Sequence, residues 1–292
     1  MASPHAGHLA DYHMHLEQDE RHAPLPYEVD RIRVYVEAAR ARGVDEIGIT
    51  EHGHRFREFR PAMARLFEAG AAQHPRIRHW LGADFQESLE RYVRAVLDAR
   101  EQGLPVRLGI EVDYLPGEEP SIRQALRLAP WDYVIGSVHF VNGRCIDCGP
   151  DITWPEADVD EVYQRYFEHM AEAARSGLFD VLAHPDLPKK FGHRPRRFPV
   201  EAFARFLEAC READVAVEVN TAGLRKPAAE MYPAPPLLAA MVAAGLDVQL
   251  GSDAHDPEDV GRDFARAREL AARAGVRRLI RWNGRRRTYQ EL

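Results

Sequence analysis

Seven short apolar runs rich in β-branched residues, separated by longer stretches with helical spacing, constrain this chain more than any other feature. They are Leu9 to His13, Glu46 to Thr50, Val106 to Val112, Tyr133 to His139, Val181 to His184, Ala216 to Asn220 and Asp247 to Gly251. Such alternation marks βα units around a parallel sheet, because a parallel neighbour is reached only through a long crossover. Seven strands are one short of a full eight-stranded barrel.

The intervening helices are expected at Tyr27 to Arg42, Ser88 to Glu101, Val159 to Arg175, Val200 to Ala213, Pro235 to Ala244 and Phe264 to Ala274. In the third of these, Val162, Tyr163, Tyr166, Phe167, Met170 and Ala174 form one stripe, so that face is expected to be buried as core. Gly43, Gly103, Gly177, Gly245 and Gly275 stand where left-handed caps would end helices. No low-complexity linker or longer repeat divides the chain, so residues 1–292 read as a single domain. A last strand is expected at Arg278 to Trp282, followed by a polar tail.

Composition narrows the partners. A formal net charge of −7 argues against a general nucleic-acid surface, which works by neutralising phosphates with Lys and Arg. No apolar stretch approaches a membrane span, and Met1-Ala2-Ser3-Pro4-His5 lacks the basic and apolar regions of a signal peptide, which makes the cytoplasm the expected location. Three cysteines, Cys145, Cys148 and Cys210, are too few for a secreted disulfide framework, so reduced thiols are expected. Cys145-Ile146-Asp147-Cys148 has C-x-x-C spacing but no second pair to complete a zinc knuckle. A loop beside the substrate is the preferred reading of it, with a redox pair as the alternative.

The chemistry lies where the strands end. His13-Met14-His15, Glu51-His52, Glu111-Val112-Asp113, Ser137-Val138-His139, Ala183-His184-Pro185 and Ser252-Asp253-Ala254-His255 each close a strand run. In an α/β barrel those ends converge on one face, where active sites form. A lone His at a strand end is usually a surface or hydrogen-bonded residue, but six such ends in succession bring together imidazoles and carboxylates that a divalent cation would satisfy. Period-two alternation puts both imidazoles of His13-Met14-His15 on one side of a strand, and Asp253 and His255 repeat the geometry.

The succession D-Y-H-M-H, I-T-E-H-G, G-I-E-V-D-Y, I-G-S-V-H-F, L-A-H-P-D-L and G-S-D-A-H resembles the polymerase-and-histidinol-phosphatase (PHP) superfamily over nearly the whole chain. G-I-E-V-D-Y, G-S-V-H-F, H-P-D-L and E-V-N-T-A-G-L-R-K look most like its histidinol-phosphate phosphatases, which serve histidine biosynthesis. The resemblance implies a distorted (β/α)7, TIM-like barrel holding up to three divalent ions. It carries the ligand role onto His13, His15, His52, Glu111, His139, His184, Asp253 and His255. A further ligand should follow the H-x-H pair; Glu17, Asp19 and His22 compete for that place, and Glu17 is favoured.

The expected reaction is hydrolysis of a small phosphate monoester, with metal ions polarising the phosphoryl oxygens and acidifying the attacking water. Zn, Mn and Fe all suit imidazole and carboxylate ligands. Glu111 is the natural bridge between ions, and Asp113 either joins it or orients an imidazole. Arg225, Lys189 and Lys190, with Arg55 and His54 behind them, are candidates to hold the phosphate. Asp253 and His255 are candidates to protonate the leaving alcohol, and Asp113 or Asp186 to bind a substrate amine. Two other readings compete: a related phosphoesterase acting on nucleotides or oligonucleotides, and a non-catalytic regulatory barrel that holds zinc structurally.

Overall fold

The structure is a computed structural model that describes residues 9–16, 27–63, 66, 85–152 and 154–292. Parallel strands form two arcs. β1 (Leu9–Asp11), β2 (Val44–Ile49) and β3 (Val106–Leu108) make the first, in that order. The second runs β4 (Glu111–Asp113), β5 (Ile135–Ser137), β8 (Val181–Leu182), β9 (Ala216–Asn220) and β10 (Val248–Gly251). A short antiparallel hairpin, β6 (Phe140–Val141) with β7 (Arg144–Cys145), projects after β5.

The arcs meet at two seams. β3 and β4 are one run interrupted at Gly109 and Ile110, and there Gly109 N donates to Ile49 O (2.9 Å) and Glu111 N to Glu51 O (3.1 Å). At the other seam Tyr12 N donates to Leu250 O (3.2 Å), Asp253 N to His13 O (2.7 Å) and His15 N to Ala254 O (2.7 Å). Counting β3 and β4 together, the expected seven parallel strands stand in a distorted ring, bridged at the seams by isolated hydrogen bonds in place of full ladders.

Helices α1 (Val29–Ala41), α2 (Leu89–Glu101), α3 (Glu119–Leu126), α4 (Val159–Arg175), α5 (Val200–Ala213), α6 (Pro235–Ala243) and α7 (Phe264–Ala274) connect and cover the strands. Six follow the expected spans to within two residues; α3 carries too short an apolar stripe to announce itself. In α4, Asp158 caps the first turn through Asp160 N and Glu161 N, and Tyr163, Tyr166, Phe167, Met170 and Ala174 are buried, with Val162 half-buried beside them. The five expected glycine caps all adopt positive φ, from +66° at Gly177 to +97° at Gly275. Among the described residues no helix is long and apolar enough to cross a membrane.

One expectation at the C-terminal end is corrected. The segment after Trp282 is no polar tail: β11 (Arg278–Asn283) pairs antiparallel with β12 (Arg286–Glu291). The hairpin is held because Ile280 and Trp282 sink into the ring. Trp282 stacks on Tyr133 at 5.7 Å and donates its indole N–H to Gln249 Oε1 (2.8 Å), so the end of the ring where the strands begin is filled by side chains.

Candidate metal centre

Five of the expected histidines surround Glu111. Its Oε2 lies 2.8 Å from His52 Nδ1, 3.3 Å from His13 Nε2 and 3.6 Å from His15 Nε2. Its Oε1 lies 3.1 Å from His184 Nε2 and 3.6 Å from His139 Nε2. Asp253 Oδ1 approaches His15 Nε2 (3.5 Å), His13 Nε2 (3.7 Å) and His255 Nδ1 (3.8 Å). These residues arrive from six strand ends, those of β1, β2, β4, β5, β8 and β10, which is the convergence that strand-end placement predicts.

The donor set suits divalent cations. Within this cluster three groups have ligand atoms within 4.8 Å of one another: His15, His52 and His255; His13, His15 and Asp253; and Glu111, His139 and His184. Both ring nitrogens of His15 and Nε2 of His13 are buried without a hydrogen bond among the described residues. His15 is stacked between His52 (4.0 Å) and His255 (4.3 Å). Burial first, then these neighbouring imidazoles, hold its pKa well below 6.5, leaving it the neutral form that ligates metals. Burial alone would raise the carboxyls, but His13 and His52 hold Glu111, and His13 and His15 hold Asp253, well below the usual carboxylate range. Ionised acids at this depth require positive charge beside them.

A second layer aims the imidazoles. Glu218, on β9 and fully buried, places Oε1 2.9 Å from His13 Nδ1, while its Oε2 accepts His184 N–H (3.0 Å) and Asn220 Nδ2–H (3.0 Å). That bond directs His13 Nε2 towards Glu111 and Asp253. Gly251 is the companion requirement, because a Cβ there would stand 2.1 Å from Glu218 Oε1 and 2.7 Å from His13 Cβ. Glu218 was not singled out in the sequence, although an acid flanked by valines on a core strand is itself a signal.

Asp113 takes the orienting alternative. Its Oδ1 lies 2.8 Å from His139 Nδ1 and its Oδ2 3.5 Å from His54 Nδ1. Both oxygens face imidazoles, so the arrangement does not present it to a substrate amine. His184, Asp186 and Asp253 all hold positive φ (+29°, +70° and +52°), strain of a kind that collects at functional sites.

The basic candidates separate. Arg225 donates from Nη2 to Ser252 O (2.7 Å) and pairs through Nε with Asp259 (3.3 Å), while its Nη1 is buried with no hydrogen-bond partner among the described residues. Lys190 Nζ donates to Asp147 O and Oδ2, both at 3.0 Å. Lys189 differs from the expected phosphate contact: it is fully buried, and its Nζ donates to Asp186 Oδ2 (2.9 Å), Glu230 Oε2 (2.9 Å) and Met231 O (2.6 Å). All three of its N–H bonds are engaged inside the protein. Asp186, the other amine candidate, is the buried partner of that lysine. Arg55 sits half-buried in the turn Gly53–Arg55 directly after His52. Glu17, with Asp19 and His22, lies outside the described residues.

The cysteine expectation is also corrected. Cys145 and Cys148 are joined as a disulfide, and Cys210 alone is a free thiol, buried in α5. The closed loop carries Asp147, the acceptor for Lys190, to the His139 side of the cluster.

Residues 11–222 match the PHP domain family. A "Probable histidinol-phosphatase" of Deinococcus radiodurans is 41% identical over 202 residues, covering 66% of this chain and 76% of that protein. A "Histidinol-phosphatase" of Bacillus subtilis is 27% identical over 262 residues, covering 80% of this chain and 90% of that one. The fold is shared with the crystal structure of a histidinol phosphate phosphatase from Lactococcus lactis complexed with Zn, L-histidinol and phosphate: TM-score 0.71 at 21% identity, over 96% of this chain and 98% of that one.

Proposed function

The chain belongs to the PHP-domain family, and from that premise we propose that it is a metal-dependent histidinol-phosphatase, converting L-histidinol phosphate to L-histidinol and phosphate. The observation that carries the reading is Glu111, one carboxylate with three imidazoles at one oxygen and two at the other. That is the disposition of a bridging ligand, and a structural zinc needs only four closed ligands. The acidic overall charge and the identity with the Deinococcus protein both favour this substrate over a nucleic acid.

His13, His15, His52, Glu111, His139, His184, Asp253 and His255 would hold the ions, up to three of them, drawn from Zn, Mn or Fe. When bound, such ions act as Lewis acids on phosphoryl oxygens and acidify water. The chain does the rest. Glu218 and Asp113 keep His13 and His139 pointed inward. Arg225, through Nη1, offers a fixed cation to the phosphoryl group, and Lys190, paired with Asp147, is the second candidate. Asp253 and His255 lie at the rim of the cluster, each with about a fifth of its side chain exposed, where a proton can be handed to the departing alcohol oxygen.

The test is to purify the protein without a metal-affinity tag, measure bound metals, and assay a panel of phosphomonoesters before and after chelation. Histidinol phosphate should give the highest kcat/KM, and chelation should abolish the activity. Comparable rates on nucleotides or short single strands would move the assignment to the alternative phosphoesterase. One tightly held ion with no hydrolysis at all would support the regulatory barrel.

A further inference from the structure

Tyr232 is 1% exposed, yet its hydroxyl has no hydrogen-bond partner among the described residues. A buried phenol without a partner costs free energy, and tyrosines in cores normally find one. Its backbone leaves it little freedom: Tyr232 N donates to Asn220 O (3.0 Å) and accepts, through its carbonyl, from Asn220 N (2.7 Å). These bonds pin it at the end of β9, where the strand turns into Ala222–Arg225.

The ring is fixed from three sides. It meets the His184 ring edge-on at 6.3 Å, and Lys189 Nζ stands 5.3 Å from its centroid. On the third side lies Gly223, where a Cβ would stand 2.1 Å from Glu230 O and 3.0 Å from Tyr232 Cε2 and Cζ, so glycine lets the turn lie against both the Glu230 backbone and the phenol end of the ring. Two residues along the same turn, Arg225 presents its own buried and unpartnered Nη1. Two donors without acceptors among the described residues therefore flank one turn beside the candidate metal cluster, and the only group of the proposed substrate with several acceptor oxygens is its phosphate.

We propose that the Tyr232 hydroxyl donates a hydrogen bond to a phosphoryl oxygen of the substrate, beside Arg225. The proposal rests on the phosphatase reading. Tyr232 acts as a binding residue: the proton stays on the phenol, and the bond costs the enzyme nothing to arrange because the ring is already in place. Burial, with the carboxylates of Asp186, Asp253 and Asp147 nearby, pushes the hydroxyl's pKa upward, so it remains a donor at any working pH. Those same carboxylates repel an anion, which is why neutral and cationic donors are needed at this wall.

The experiment compares metal-replete wild type with Tyr232→Phe, titrating inorganic phosphate by calorimetry and measuring kcat/KM, metal content and Tm in parallel. The phenyl ring keeps the contacts with Gly223 and His184. Phosphate affinity should fall by about 10- to 100-fold, the range for a hydrogen bond to a charged group. Metal content should be unchanged and Tm equal or higher, since the variant removes an unsatisfied hydroxyl. A phosphate Kd within about twofold of wild type, or a loss of affinity that tracks loss of metal, would overturn the proposal. If the variant does not fold, 3-fluorotyrosine at position 232 decides: its 19F resonance should shift on saturation with phosphate, and an unmoved resonance overturns the idea. Wild type that binds phosphate through Tyr232 but leaves histidinol phosphate intact would sink the substrate assignment alone.

Discussion

His13 Nδ1 and Glu218 Oε1 stand 2.9 Å apart with both side chains fully buried. The carboxylate fixes which imidazole nitrogen carries the proton and so which one faces the cluster. Without an ion, burial alone would depress His13, but Glu218, Asp253 and Glu111 raise its pKa well above 6.5, so a metal binding at Nε2 displaces a proton there while Glu218 keeps the one on Nδ1. Glu218→Ala should lower metal affinity about 10- to 100-fold, the usual effect of losing the partner of a ligating histidine. Metal content after dialysis, with activity restored by excess metal, is the measurement; undiminished retention of metal would refute the orienting role.

Glu111→Gln tests the bridge. Gln keeps the shape but loses the charge and one acceptor oxygen. Activity should fall by more than the ~100-fold expected for an outer-layer change, together with loss of bound metal. Full metal content at the wild-type rate would contradict the proposed centre.

Adjacent lysines should behave oppositely. Removing Lys189 leaves Asp186 as an uncompensated buried charge, so Lys189→Ala should cost about 3–5 kcal/mol in chemical denaturation. Lys190 is partly exposed in its pair with Asp147, and Lys190→Ala should change stability by no more than about 1 kcal/mol while raising KM. Equal destabilisation by the two variants would show that the burial of Lys189 has been misread.

His169 on α4 sets a pH dependence. Burial lowers its pKa below 6.5, outweighing the raising effects of Glu172 and of its bond to Phe140. The folded state therefore binds this proton less readily than the unfolded chain. The stability it contributes is fully present above about 6.5 and is lost as pH falls through the folded value. Unfolding free energies of wild type and His169→Gln should converge as pH drops below that point; parallel curves would remove His169 from the account.

The strands, and the gathering of most candidate ligands at one place, were legible because both obey local rules: β-branched runs mark the strands, and the polar residues sit at their ends. What stayed hidden depends on contacts far along the chain. The H-P-D-L-P-K-K-F stretch reads as an exposed loop, yet Glu230 and Met231 fold over Lys189 and enclose it. Glu218 matters only because β9 faces His13, more than two hundred residues earlier. Arg286 to Glu291 look like a solvated tail until Ile280 and Trp282 anchor the first strand of their hairpin in the ring. The pairing of Cys145 with Cys148 runs against the reduced state expected of a cytoplasmic chain and follows from the tight turn after β7.

The filling of the ring by Trp282 and Tyr133 makes the catalytic chamber a blind alley. Among the described residues that leaves the side where the strands end, at which His139, His255 and Asp253 keep part of their side chains exposed, as the approach for ester, alcohol and phosphate. Whichever product is held by the inner donors must depart last, and until it does no new ester can reach the ions. Turnover is then governed by traffic at a single threshold, and accumulated phosphate should slow the enzyme by standing in the way.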